Sequence, residues 1–259
     1  MVTLGLGLVG IGKPWGHVPG EVPSETETMA LLESAVELGI RYFDTAPSYG
    51  TSEARLGGFL DSLGAEQRRG LTIATKFGEH WDAARQQPFV DHSYDALRRS
   101  LDRSLERLGR IDILQLHKTT PAVLASPEVA RAWEYALSLG IGKIGPSVAE
   151  PESARIAIAD PRFACIQLPF NPQYPVMREA LGAAGARGMW VAVNRPYAMG
   201  SMLYDRPMLK ADAFRFILEV EFEGVILSGT KSRSHLLENW QAFRAASTPL
   251  ERQSDPAAL

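Results

Sequence analysis

The sequence of 259 residues predicts an α/β fold, a single-domain (β/α)8 TIM barrel, and two observations carry that prediction. Short, nearly continuous apolar runs recur eight times, as parallel strands covered on both faces require. Amphipathic segments with start and stop signals separate them, and eight such alternations fit the length of one closed barrel. A doubly wound sheet is the alternative. It wants a glycine fingerprint after an early strand, which "GLGLVGIG" suggests only loosely, and no second strand with an acidic end follows at the usual distance.

The strands are expected at 4–9, 40–44, 71–76 and 112–117 in the first half, and at 142–147, 164–169, 189–194 and 224–229 in the second. "SETE" (24–27) reads as a capping box opening a helix that Gly39 stops. "SYDALRRSLDRSLERLG" sets Leu97, Leu101, Leu105 and Leu108 on one helical face, with Gly109 as terminator. Ser126 caps a helix with Pro127 at its first position, ending at Gly140, and "SHLLENWQAF" (234–243) forms the last clear helix. The domain is expected over 1–245, starting directly at the first barrel strand without an obvious N-terminal hairpin to plug the barrel bottom. Residues 246–259 read as a frayed tail.

Composition narrows the function classes. The chain is 45% hydrophobic and 22% charged, with a formal net charge of -3 and no long block of one sign. Nothing there attracts nucleic acid or an anionic membrane, and no apolar stretch reaches the roughly 20 residues of a membrane span. Cys165 is the single cysteine, so no intrachain disulfide can form. The apolar N-terminus lacks a basic leader and a cleavage signal, and a cytoplasmic protein is expected, monomeric or a small homo-oligomer.

In a barrel the C-terminal strand ends meet at one mouth, where chemistry resides. Three successive predicted strands end there in Asp44, Lys76 and His117, and Tyr49 lies in the loop after Asp44. A buried lysine beside a carboxylate keeps its charge. That ammonium is expected to lower the Tyr49 pKa from the ordinary phenol value of about 10, letting the phenol give a proton to a developing alkoxide or take one back. His117 is placed to orient a carbonyl. Singly, a strand-end Asp is usually a turn residue and a lysine usually solvated; together on consecutive strands they suit carbonyl reduction or alcohol oxidation. Such a set supplies no hydride, so a cofactor is needed. One Asp and one His without a close second His or Cys make a poor metal site, and no metal is expected. After the eighth strand, "LSGTKSRSHLLEN" (227–239) puts Gly229 and Thr230 where backbone N–H groups could approach a phosphate, with Lys231 and Arg233 nearby. An ordinary capped helix is the competing reading of that turn.

These residues resemble the aldo-keto reductase family over nearly the whole chain. "FDTAPSYGTSEARLG" is similar to the family's signature around its aspartate and tyrosine. "IATKFG" resembles its lysine strand, "RSLDRSLERLGRIDILQLH" its helix and histidine strand, and "IGKIGPSV", "IQLPFN" and "SGTKSRSHLLENWQAF" its cofactor segments. The resemblance implies an oxidoreductase moving a hydride between NAD(P)(H) and the carbonyl or alcohol of an aldehyde, ketone or sugar, with NADP(H) expected ahead of NAD(H). It implies Tyr49 as general acid/base, tuned by Lys76 and Asp44, with His117 positioning the carbonyl. Ser147 and Gln167 would hold the nicotinamide carboxamide. Gly229, Thr230, Lys231 and Arg233 would border the adenosine phosphate, and Glu238 and Asn239 would lie near adenine. Three positions depart from the family's habit: Val148 follows Ser147 where Asn is frequent, Asn194 stands where a Tyr often stacks on nicotinamide, and His235 stands where an Arg often grips the 2′-phosphate.

Trp15 and Trp81 fall in loops after the first and third strands and are expected to line the substrate pocket, whose short loops suggest an open, shallow mouth. His80 and His92 read as surface residues and Cys165 as a small core residue. Lys118, beside His117, either lowers the histidine's pKa or points to solvent. Two further functions are compatible with the same chain. One is a redox-neutral tailoring enzyme, suggested by Val148 and Asn194. The other is a cofactor-sensing regulatory protein, against which the intact Asp–Tyr–Lys–His set counts.

Overall fold

The structure is a computed structural model and describes residues 1–17, 19–204 and 209–248. Its eight barrel strands are β1 (Val2–Gly7), β2 (Tyr42–Asp44), β3 (Thr72–Phe77), β4 (Ile113–Thr119), β5 (Lys143–Val148), β6 (Cys165–Pro169), β7 (Trp190–Asn194) and β8 (Glu223–Gly229). All are parallel, and the sheet closes where β1 pairs with β8 from Val2↔Gly224 to Gly7↔Gly229. Each expected strand is present, and closure rules out the doubly wound alternative. β1 sits two residues earlier than expected because the chain turns at Leu8 into a short helix, Val9–Gly12.

Local signals act as read. Ser24 and Glu27 close a reciprocal capping box at the start of helix Glu25–Glu37, and Gly39 adopts a positive φ just past its end. Gly109 caps helix Tyr94–Leu108 in the left-handed conformation. The last helix is longer than expected, Arg233–Ser247, so the first two residues of the expected tail are helical; residues 249–259 lie outside the described residues.

Alternation along the strands sorts the side chains. Leu6, Phe43, Ile73, Leu114, Leu116 and Ile166 are buried in the core cluster that also takes in the surrounding helices. Each such burial contributes about 1.5–3 kcal/mol. A separate cluster inside the barrel holds Tyr42, Ala74, Ile113, Cys165, Ala192, Val225 and Leu227, so Cys165 is a core residue as expected. Stepping two residues along from Tyr42, Ala74, Cys165 and Ala192 reaches Asp44, Lys76, Gln167 and Asn194. The polar residues therefore form the layer at the C-terminal mouth.

Two features differ from expectation. The loop after β3 is not short: it carries an antiparallel hairpin, Glu79–Asp82 paired with Gln87–Val90. The histidines it was expected to expose are instead packed. His80 is buried with Nε2 2.9 Å from the Asp91 carbonyl, and half-buried His92 places Nε2 2.9 Å from the His117 carbonyl. The ring nitrogens of both histidines meet backbone carbonyls.

Candidate active site

Asp44, Lys76 and His117 come from the ends of β2, β3 and β4, and Tyr49 from the turn after β2. That turn is fixed by close backbone packing. Gly50 adopts φ +60°, and a Cβ on Gly12 would fall 1.8 Å from the Tyr49 carbonyl, so only glycine lets the two loops touch. The Thr51 amide donates to the Gly12 carbonyl at 3.2 Å, tying them together.

Lys76 Nζ donates to both oxygens of Asp44, at 2.7 and 2.6 Å, and to the Thr45 carbonyl at 2.9 Å. Burial works against its charge, but Asp44 and Tyr49 outweigh it and raise the Lys76 pKa. Asp44 Oδ1 also accepts from Gln167 Nε2 at 3.0 Å, and Gln167 Oε1 accepts from Ser147 Oγ at 2.8 Å. One chain of hydrogen bonds thus runs from the Lys–Asp pair through β6 to β5.

Lys76 Nζ lies 5.1 Å from the centre of the Tyr49 ring, and the His117 ring meets Tyr49 edge-on at 6.0 Å. The Tyr49 pKa moves opposite to the direction expected from sequence. Burial raises it, and the opposing Lys76 charge and hydrogen bond do not compensate, because Asp44 and Glu79 add to the rise. Tyr49 is therefore a protonated phenol throughout the neutral range, held ready as a donor. His117 is held well below the ordinary imidazole pKa by burial and then by the charges of Lys76, Lys118, Lys13 and Arg195. Its ring is neutral at pH 7. Lys118 thereby meets both readings of it: its charge depresses the His117 pKa, and its side chain is 53% exposed.

Glu79 and Lys13 were not singled out in the sequence. Glu79 opens the unexpected hairpin and is buried, with Oε2 3.1 Å from His117 Nδ1 and Oε1 3.2 Å from Lys118 Nζ. His117 Nδ1 also has Ser48 Oγ at 3.5 Å. Lys13 ends the turn after β1 and donates to the Ser48 carbonyl at 2.9 Å. Neither belongs to a motif; the only signal for Glu79 was its place three residues after Lys76 on a predicted strand end.

A cavity of about 700 Å³ opens over this set. Asp44, Tyr49 and His117 line it, while Lys76 is sealed behind them. Ser147, Gln167 and Asn194 line it from β5, β6 and β7. Gly229, Thr230, Lys231, His235, Glu238 and Asn239 extend it along β8 and the last helix. Lys231 Nζ reaches the Glu21 carbonyl at 2.8 Å and Glu238 pairs with Lys210 at 2.8 Å. Asn239 donates to Ser228 Oγ at 2.8 Å. Arg233 is exposed at the start of the last helix and is not among the cavity walls. Trp15 lines the cavity, and Trp81 stands next to it with Lys13 Nζ 5.4 Å from its ring centre. Among the described residues no group of His, Cys, Asp and Glu is suited to a metal ion, and no helix is long and apolar enough to cross a membrane.

Comparison with known proteins agrees with this architecture. Residues 3–207 match the aldo/keto reductase family. L-galactose dehydrogenase of Arabidopsis thaliana is 40% identical over 114 residues, 42% of this chain and 33% of that protein. D-threo-aldose 1-dehydrogenase of a Pseudomonas species is 37% identical over 137 residues, 44% and 39% of the two chains. An aldo-keto reductase of Strobilurus tenacellus is 30% identical over 173 residues, 65% and 49% of the two chains. The matched segments thus span about a third to a half of these curated relatives. Among solved structures, a Pseudomonas aeruginosa chain assigned to the aldo-keto reductases superposes with a TM-score of 0.79 at 28% identity, covering 95% of this chain and 90% of that one. With the family match covering most of its length and the fold shared from end to end, the chain belongs to the aldo/keto reductase family of oxidoreductases.

Proposed function

We propose that the protein is an NAD(P)(H)-dependent oxidoreductase that interconverts the carbonyl and alcohol forms of an aldehyde, ketone or sugar, with Tyr49 as general acid/base. The buried Lys76–Asp44 pair behind a cavity-lining Tyr49 carries this reading. Two of the relatives it resembles are by name sugar dehydrogenases, which supports the substrate range.

The residues present fit a nicotinamide dinucleotide. Asn194 and Asn239 line the long cavity, and each has a buried side-chain oxygen without a hydrogen-bond partner among the described residues. Such acceptors suit amide or amino N–H groups of a ligand. Ser147 and Gln167 would face the nicotinamide end, and Gly229, Thr230, Lys231 and His235 the phosphate end, with Glu238 and Asn239 near adenine. The cofactor, when bound, supplies the hydride. Tyr49 donates its phenolic proton to the oxygen of the reduced carbonyl, and Lys76 stabilises the phenolate left behind. Neutral His117 fixes the substrate oxygen by hydrogen bonding. In the oxidative direction the Tyr49 phenolate, held by Lys76, takes the proton from the alcohol as the hydride leaves.

Lys231, at the phosphate end of the cavity, favours NADP(H) over NAD(H). Cofactor absorbance followed with a panel of aldehydes, ketones and sugars, with NADPH and NADH in parallel, tests the reading. Turnover with NADPH at least tenfold more efficient than with NADH is expected, a difference of about 1.4 kcal/mol. Tight binding of cofactor with no turnover on any of these compounds would favour a sensing role instead.

A further inference from the structure

We propose that Lys13 is a substrate-anion site, so that the substrate carries a carboxylate or phosphate group beside its reacting carbonyl or alcohol. The inference rests on the oxidoreductase reading and narrows its substrate class.

The Lys13 ammonium is half-buried at the mouth of the cavity that Tyr49 and His117 line. Its nitrogen lies 5.6 Å from the ring centre of Trp15, 5.6 Å from that of Tyr49 and 5.4 Å from that of Trp81. Its only hydrogen bond among the described residues goes to the Ser48 carbonyl, so two of its three protons have no acceptor there. It makes no ion pair among the described residues. The three ring faces offset part of the cost of its burial, and an anion would offset the rest. Burial, together with Lys118, lowers the Lys13 pKa, and the charge of Glu79 only partly offsets this.

Glu79 is not a sufficient counter-ion. Its two oxygens already contact His117 and Lys118. Lys76 is matched by Asp44, so around the reacting end the remaining charges are Lys13, Lys118 and Arg195 against one carboxylate. That surplus attracts an anion into a low-dielectric mouth. The anion is better assigned to the substrate than to the cofactor. Lys13 stands with Trp81 and Glu79 of the loop after β3, whereas the phosphate-type turn after β8 has its own cations, Lys231 and Arg233.

The test compares matched probes under steady-state conditions. Succinic semialdehyde is set against its methyl ester, 4-carboxybenzaldehyde against its methyl ester, and glyceraldehyde 3-phosphate against glyceraldehyde. The first two pairs report on carboxylate and the third on phosphate. At least one anionic member is expected to exceed its neutral partner tenfold or more in kcat/KM, mainly through KM. In Lys13→Met the ratio should collapse toward one, and in Lys13→Arg it should be retained. Neutral partners used as well as anionic ones, or a ratio preserved in Lys13→Met, would overturn the inference while leaving the redox reading intact. Cofactor affinity lost in Lys13→Met by the same factor as turnover would overturn it too, by moving the lysine to the cofactor. Absence of cofactor consumption with every probe, charged or neutral, would remove the redox reading and this inference with it.

Discussion

A lysine ammonium has three protons, and at Lys76 both oxygens of Asp44, the Thr45 carbonyl and Tyr49 stand ready to accept them. That satisfaction allows a charge to persist in the barrel interior without neutralising itself. His117 has the Glu79 carboxylate at Nδ1, yet burial and the surrounding cations keep its ring neutral, which links it to folding. Its folded pKa is depressed, so below the unfolded value of about 6.5 the unfolded chain takes up a proton that the folded chain refuses. Stability is therefore complete above about pH 6.5 and lost as pH falls below it. Denaturation midpoints measured from pH 7 to pH 5 should fall more steeply for the native chain than for His117→Gln. Equal slopes would contradict the assignment. Asp44, Tyr49, Lys76 and His117 were legible in the sequence because each ends a strand or follows one. The direction of the Tyr49 shift was not, because the degree of burial of a loop phenol is a property of the closed barrel.

Among the elements, the helix Ser52–Ser62 that follows Tyr49 is fixed by a second buried carboxylate. Glu53 accepts from Thr75 Oγ1 on β3 at 2.7 Å, from Ser104 Oγ of helix Tyr94–Leu108 at 2.7 Å, and from Arg107 at 2.9 Å. It thereby joins two helices to the strand that bears Lys76. Glu53→Ala should cost about 2–4 kcal/mol, since it strips charge-assisted bonds from two buried hydroxyls and leaves a void. Urea denaturation measures this, and a loss under about 1 kcal/mol would show that the clamp is dispensable. The hairpin after β3 was the element the sequence concealed. Its strands are short, and its residues "EHWD" and "QPFV" show neither a long apolar run nor a two-residue hairpin turn. Glu79 was concealed with it, because only the hairpin turns that carboxylate back toward His117.

For the molecule as a whole, eight buried apolar runs with polar residues at their C-terminal ends were enough to specify a closed barrel and its working face. Side-chain alternation then turns Asp44, Lys76, Gln167 and Asn194 toward the barrel interior at its mouth, with His117 one step further out along β4 than Gln115, the register partner of Lys76. What the one-dimensional pattern could not show is the charge of the mouth, since Lys13, Glu79, Lys118 and Arg195 arrive from four separate places along the chain: the turn after β1, the hairpin after β3, the end of β4 and the residue after β7. The central claim is that Tyr49 passes the proton in a nicotinamide-dependent carbonyl reaction. The most direct test is single-turnover reduction of a reactive aldehyde by NADPH in Tyr49→Phe, with cofactor binding confirmed by titration. A loss of about 10²–10⁴-fold in the chemical step with cofactor affinity retained is the predicted result. A chemical step as fast as in the unaltered chain would contradict it.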